Sequence, residues 1–87
     1  MKSLDKIVNG IVRRVERATG YKVKQVSGGG HSLGRRFTKS ELLVIGNKLK
    51  QAGFQPSDPK MFVVDAIFFE TDDIYFSIDM HGFLNFM

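Results

Sequence analysis

Along the first twenty residues the apolar positions Leu4, Ile7, Val8, Ile11, Val12 and Val15 recur three and four apart, which sets them on one stripe of a helix. Lys6, Asn9, Arg13, Arg14, Glu16 and Arg17 fall elsewhere around the axis. Ser3 is placed to cap the start, with Asp5 in the first turn. Arg13, Arg14 and Arg17 complement the carboxyl end of the dipole, and Gly20 is placed to end the helix. Gly10 weakens it by up to ~1 kcal/mol relative to Ala, which close approach of a neighbouring backbone would explain.

The period then changes. In residues 21–27, Tyr21, Val23 and Gln25 alternate with Lys22, Lys24 and Val26, a strand with a basic outer side. After a glycine-rich loop, Thr38-Lys39-Ser40-Glu41 reads as a capping box, so a second helix begins near Lys39. Leu42, Ile45, Gly46, Leu49 and Ala52 form its inner stripe, Leu43 widens it, and Gly53 stops it. Pro56 and Pro59 break regular structure beyond it.

Residues 61–69, 74–80 and 83–87 are rich in aromatic and β-branched residues and predict three strands, with turns at 70–73 and at His81-Gly82. In the middle strand Ile74, Phe76, Ile78 and Met80 alternate with Tyr75, Ser77 and Asp79. Placing Phe62, Val64, Ala66 and Phe68 on the inner face with the first set buries no charge. That register puts Val63, Asp65, Ile67 and Phe69 on the opposite face with Tyr75, Leu84 and Phe86. It also sets Asp65 across from Asp79, a like-charge pairing that would mark a metal or acid–base site, or else a register displaced by one residue.

The expected fold is a single α+β domain over residues 1–87: two helices packed on a mainly antiparallel sheet of about four strands, in the order α-β-α-β-β-β. The second face of that sheet is too apolar to be simply wet. The preferred arrangement puts one helix on each face. In the other, both helices share one face, and Ile67, Phe69, Tyr75, Leu84 and Phe86 form a surface for a protein partner or a second copy of the chain.

Composition and charge narrow the chemistry. The 87 residues, 43% hydrophobic with eight Phe, suit one small globular core. There is no cysteine to staple a fold, ligate a metal or attack a substrate. With only His31 and His81 beside the acids, neither a transition-metal site nor a cofactor is expected. Asp5 and Lys6 interrupt any leader-like apolar region, and uncharged apolar runs later in the chain, such as residues 66–69, are only four or five residues long, so the chain reads as cytoplasmic, neither secreted nor membrane-spanning.

The formal charge of +4 conceals a division. Residues 1–60 hold all 13 Lys and Arg against four acids, while residues 61–87 hold five acids and no Lys or Arg. Such a division can steer one part of the surface to a polyanion, or the two halves can neutralise each other.

Residues 27–36, Ser-Gly-Gly-Gly-His-Ser-Leu-Gly-Arg-Arg, carry the densest candidate chemistry. Glycine N–H groups can form an anion-binding concavity, Arg35 and Arg36 can hold phosphate, and the second helix starts just beyond. The stretch matches neither the dinucleotide fingerprint, since Leu33 stands where the third glycine belongs, nor a P-loop.

Lys22, Lys24, Gly28, Gly29, Gly30, His31, Arg35, Arg36, Phe37 and Lys39 therefore make up the candidate nucleic-acid site, with Phe37 available to stack a base. A small non-enzymatic binder of nucleic acid or a nucleoprotein, regulating or inhibiting by occupancy, is the first expectation. A protein-interaction module or homodimer using the outer sheet face is the second. A metal-independent nuclease with His31 as base is the third, without an acidic orienter nearby in sequence.

Overall fold

The computed structural model describes residues 3–87. Helix α1 spans Leu4–Thr19, with the Ser3 hydroxyl accepting from the Lys6 N–H and Gly20 closing the end at φ 81°. Only Ile11, Val15 and Thr19 of this helix are fully buried, and Leu4, although on the apolar stripe, is exposed. Nothing lies within 4 Å of where a Cβ on Gly10 would stand, so backbone approach does not account for that glycine.

Strand β1 (Lys24–Val26) is joined by the turn at residues 27–29 to β2 (Gly30–Ser32), and α2 follows at Lys39–Gln51. Both halves of the expected capping box form: Thr38 Oγ1 accepts from the Glu41 N–H, and the Glu41 carboxylate accepts from the Thr38 N–H. Leu42, Ile45, Gly46 and Leu49 are its buried stripe, whereas Ala52 caps the helix and is exposed. A Cβ on Gly46 would meet the thioether end of Met61, so that flexible side chain would have to shift to admit it.

The remaining strands are β3 (Gln55–Pro56), β4 (Phe62–Val63), β5 (Ala66–Glu70), β6 (Tyr75–Asp79) and β7 (Phe83–Phe86). The α+β class holds, but the sheet has seven strands rather than about four. Its order is β1-β2-β7-β6-β5-β3, with β4 also pairing β5 and every pairing antiparallel. Three strands are additional: Gly30–Ser32 completes a hairpin with β1, Gln55–Pro56 adds a short edge where the prolines were expected to break regular structure, and Phe62–Val63 separates from the single strand expected over residues 61–69.

The expected register is displaced by one residue. Residues 61–69 are not one strand but a hairpin, in which Phe62 pairs with Ile67 and Val63 with Ala66 around a corner at Val64 and Asp65. The two-residue corner reverses the phase of alternation. Ile67 and Phe69 therefore pair with Ile78 and Phe76 on the inner face, while Ala66 and Phe68 oppose Asp79 and Ser77 on the outer one. Asp65 does not face Asp79; its carbonyl instead accepts from the Met80 N–H.

Both helices lie on one face of the sheet, not one on each. Ile11 and Val15 of α1, Leu42, Ile45 and Leu49 of α2, and Ile67, Phe69, Phe76, Ile78 and Leu84 of the sheet belong to one buried cluster. Phe54, just past α2, joins the layers, with its ring edge-on to Phe76 at 5.1 Å and to Phe69 at 6.3 Å. Among the described residues no helix is long and apolar enough to cross a membrane.

Candidate nucleic-acid interface

Strand register places the charged residues. Lys24, first in β1, opposes Ser32, last in β2, and Ser32 opposes Phe83, first in β7. Asp79 ends β6 and Ala66 begins β5, so all of these lie at one end of the sheet. Lys22 precedes that end by two residues, with neighbouring Tyr21 edge-on to Phe37 at 5.3 Å.

Residues 33–37 cross the same end, fastened to the β6–β7 turn. The Leu33 N–H donates to the Gly82 carbonyl (2.8 Å), and the Phe37 N–H donates to the Met80 carbonyl (2.8 Å). Arg35 and Arg36 ride on this crossing. Lys39 opens α2 immediately after, its ammonium 5.1 Å from the Phe62 ring centre.

Lys22, Lys24, Arg35, Arg36 and Lys39 thus share one sheet end, and His81 of the β6–β7 turn joins them. Glu70, Asp72 and Asp73 stand at the other, around the β5–β6 turn. On the helix side, Arg14 lines a cleft with Asp72 and Asp73, and Lys6 lines one with Asp73. The charge division along the chain is kept only in part along the strands, since Asp65 and Asp79 lie at the basic end and Arg14 and Lys6 beside the acidic turn.

The five basic residues are not equally available. Arg35 Nη2 donates to Glu41 Oε2 at 2.6 Å, the one ion pair among the described residues, and its guanidinium lies 5.1 Å from the Phe37 ring centre and 6.0 Å from that of Tyr21. The Glu41 carboxyl is held below its ordinary pKa first by the Thr38 backbone N–H; desolvation opposes this, and the charge of Arg35 with the side-chain hydrogen bonds of Thr38 and Arg35 adds to the lowering. Lys22, Lys24, Arg36 and Lys39 are exposed. Asp79 belongs to the same end, but its carboxylate accepts from the N–H groups of His81 and Phe83 and from the Asn85 amide, securing the turn.

The glycines do not join the arginines. Gly28 and Gly29, at φ 86° and 83°, make the corner of the β1–β2 hairpin, and the Gly29 N–H donates to the Val26 carbonyl. That corner is at the end of β2 away from Arg35 and Arg36, and with three strand residues between them the separation is about 10 Å. Phe37 offers no ring for stacking a base, since it is 4% exposed and part of the core.

His31 and Ser32 point to opposite faces, as consecutive strand residues do. His31 is half-buried edge-on to Phe86 (5.5 Å) and lines a groove of about 640 Å³ between the first half of α1 and the β1–β2 hairpin. Asp5 and Asn9 line the same groove, a proximity that the 26-residue separation of Asp5 and His31 concealed. Among the described residues no group of three or more His, Asp or Glu is arranged to hold a metal.

The expected partner surface is largely internal. Ile67 and Phe69 are wholly buried, Leu84 nearly so, and Phe86 partly, all on the helix-covered face; only Tyr75 points outward. The uncovered face instead carries Tyr75 (51% exposed), Phe83 (41% exposed), Val26, Val63 and Met87, with Phe68 half-buried between them. Hydrophobic alternation contained these residues but assigned β5 and β7 the wrong phase.

Comparison with protein-family models, curated proteins and solved structures returns no match to this chain.

Proposed function

We propose that the chain is a non-enzymatic nucleic-acid-binding protein whose basic sheet end contacts the phosphate backbone, and that it regulates or inhibits by occupying its target. The observation that carries this reading is the convergence of Lys22, Lys24, Arg36 and Lys39 on the end crossed by residues 33–37. Glu70, Asp72 and Asp73 are held at the far end. A cationic end of this kind releases counterions from a polyanion and orients its approach without reading sequence. The start of α2 adds little, since its capping box already uses the Glu41 carboxylate there.

The reading differs from the sequence expectation in its components. The glycine corner and His31 drop out of the contact, Phe37 becomes its support, and His81 enters. A salt-titrated binding assay with single- and double-stranded RNA and DNA tests it. Binding at low salt should fall steeply with added salt, and Arg36→Ala should lower the salt slope by about one unit. Absence of binding to every form at low salt refutes it.

A further inference from the structure

The groove that His31 lines, about 640 Å³ between the first half of α1 and the β1–β2 hairpin, takes polar side chains from both of its walls. Asp5 and Asn9, four residues apart, share one face of the helix, and Gln25 and His31 are cross-strand partners on one face of the hairpin. Because His31 also pairs with Leu84, a core residue, that face is the one the helices cover. Apolar surface lies between the two walls. Val8 and Phe86 are half-buried there, and Leu4, although on the apolar stripe of α1, is left 63% exposed. None of the four polar side chains is engaged in a hydrogen bond or ion pair among the described residues. An apolar groove of this size with a few convergent polar groups has the character of a small-molecule site.

We infer that this groove binds a guanine base. Asp5 by itself is accounted for by the dipole at the start of α1; its place across from Gln25 and His31, with Asn9 beside it, is not. No Lys or Arg lines the groove among the described residues, and the Asp5 carboxylate repels anions, so a phosphate is not what it holds. A bare cation would meet Asp5 but would also face the N–H donors of Asn9, Gln25 and His31 and leave them unmatched. The complement is a neutral, flat ligand with donors and acceptors on its edge and apolar faces for Leu4, Val8 and Phe86. Nucleobases have that form, and the carboxylate discriminates among them. Two oxygens that only accept call for two adjacent donors, which guanine presents at its N1–H and its N2 amino group. Adenine and cytosine set a bare ring nitrogen beside their amino group, and uracil and thymine flank one N–H with carbonyls, so each would turn a lone pair toward the carboxylate. The amides of Asn9 and Gln25 and the imidazole of His31 remain to donate to guanine O6 and N7.

This contact does not depend on the phosphate contact proposed above. Lys24 precedes Gln25 in β1, but consecutive strand residues point to opposite faces, so its ammonium is directed away from the groove. A guanine base enters either as a free nucleoside or nucleotide or from a single strand in which it is unpaired. Duplex pairing would occupy the N1–H edge that Asp5 needs.

Titration of the isotope-labelled chain with guanosine, followed by amide NMR shifts, tests the inference. Saturable shifts are expected at Asp5, Asn9, Gln25 and His31. Inosine, which lacks only the N2 amino group, and adenosine should each bind at least about tenfold more weakly than guanosine. Asp5→Asn, at an exposed position, should weaken guanosine binding to a similar degree with unchanged circular dichroism. The inosine comparison uses the wild-type chain, so it decides even if that variant folds poorly. Lys24→Ala and Arg36→Ala should leave guanosine affinity unchanged, which separates the groove from the basic end: salt-sensitive RNA binding without guanosine binding refutes the groove alone. A uridine-rich single strand carrying one guanine, compared with the same strand carrying inosine, identifies the source. Tighter binding of the guanine strand assigns the groove to a base within a strand, and equal binding assigns it to the free nucleoside or nucleotide. Absence of a saturable shift with guanosine overturns the inference, as does equal binding of inosine or adenosine, or undiminished guanosine affinity in Asp5→Asn.

Discussion

The backbone carbonyl of Arg35 occupies the space into which a Cβ on Gly82 would project. Gly82 sits at φ 87° in the β6–β7 turn, is buried, and its own carbonyl accepts from the Leu33 N–H. Contact and backbone angle both demand glycine. Gly82→Ala should lose about 2–4 kcal/mol, combining left-handed strain with displacement of the crossing segment, as read from the urea midpoint. Because the same displacement moves Arg35 and Arg36, nucleic-acid affinity should fall in the fraction that remains folded.

Phe37 distinguishes support from contact. It is buried against Tyr21 and beneath the Arg35 guanidinium, so Phe37→Ala should cost about 3–5 kcal/mol as a core truncation. Phe37→Leu should retain most of the stability and all of the nucleic-acid affinity. A selective loss of affinity in a stable Phe37→Leu variant would mean that the ring touches a base.

Glu41 predicts a pH dependence. Its folded-state pKa lies below the unfolded value, so its contribution to stability is present above the unfolded pKa, near 4.5, and is lost as pH falls through the lower folded value. Between pH 5 and pH 3 the wild type should therefore lose more stability than Glu41→Gln, measured by denaturant unfolding at each pH. Equal losses would show that the Thr38 N–H and Arg35 do not favour the carboxylate. Thr38→Ala should cost about 1 kcal/mol at neutral pH through loss of the cap.

Val64 is the one non-glycine residue at positive φ among those described (60°), and it is 88% exposed. A β-branched residue gains nothing there and is strained. Val64→Gly should raise stability by about 0.5–1 kcal/mol, the relief of strain exceeding the added chain entropy. A loss in thermal midpoint would contradict this.

The groove that His31 lines includes neither Arg35 nor Arg36, so RNA should stay intact in the presence of the protein. His31→Ala and Gly28→Asn should leave the salt slope of binding unchanged, while Lys24→Ala should reduce it by about one unit. Electrophoresis of labelled RNA and fluorescence anisotropy provide the two readouts.

Both helices were legible because their signals are local. Ser3 and Gly20 bound a six-residue apolar stripe, and Thr38 with Glu41 marks the start of α2 through hydrogen bonds spanning three residues. The alternation of β6 was legible for the same reason, between recognisable turns, whereas β7 was located but given the wrong inward face. The β4–β5 hairpin was not. Its corner uses Val64 where turn chemistry favours Gly, Asn or Asp, and a corner of two residues inverts the inward face of the strand that follows it. That single unmarked reversal moved Ile67 and Phe69 from a supposed outer surface into the core.

The sequence by itself determined the α+β class, the position of each helix, the absence of thiol chemistry and the division of charge between residues 1–60 and 61–87, since each depends on composition or on neighbours within a few residues. Only the tertiary structure decided which sheet face is covered, that Phe37 is core, that His31 and Asp5 line one groove, and that Lys22, Lys24, Arg36 and Lys39 gather at one end. These relations are set by the pairing of strands distant along the chain, and a shift of one residue in that pairing exchanges inside for outside.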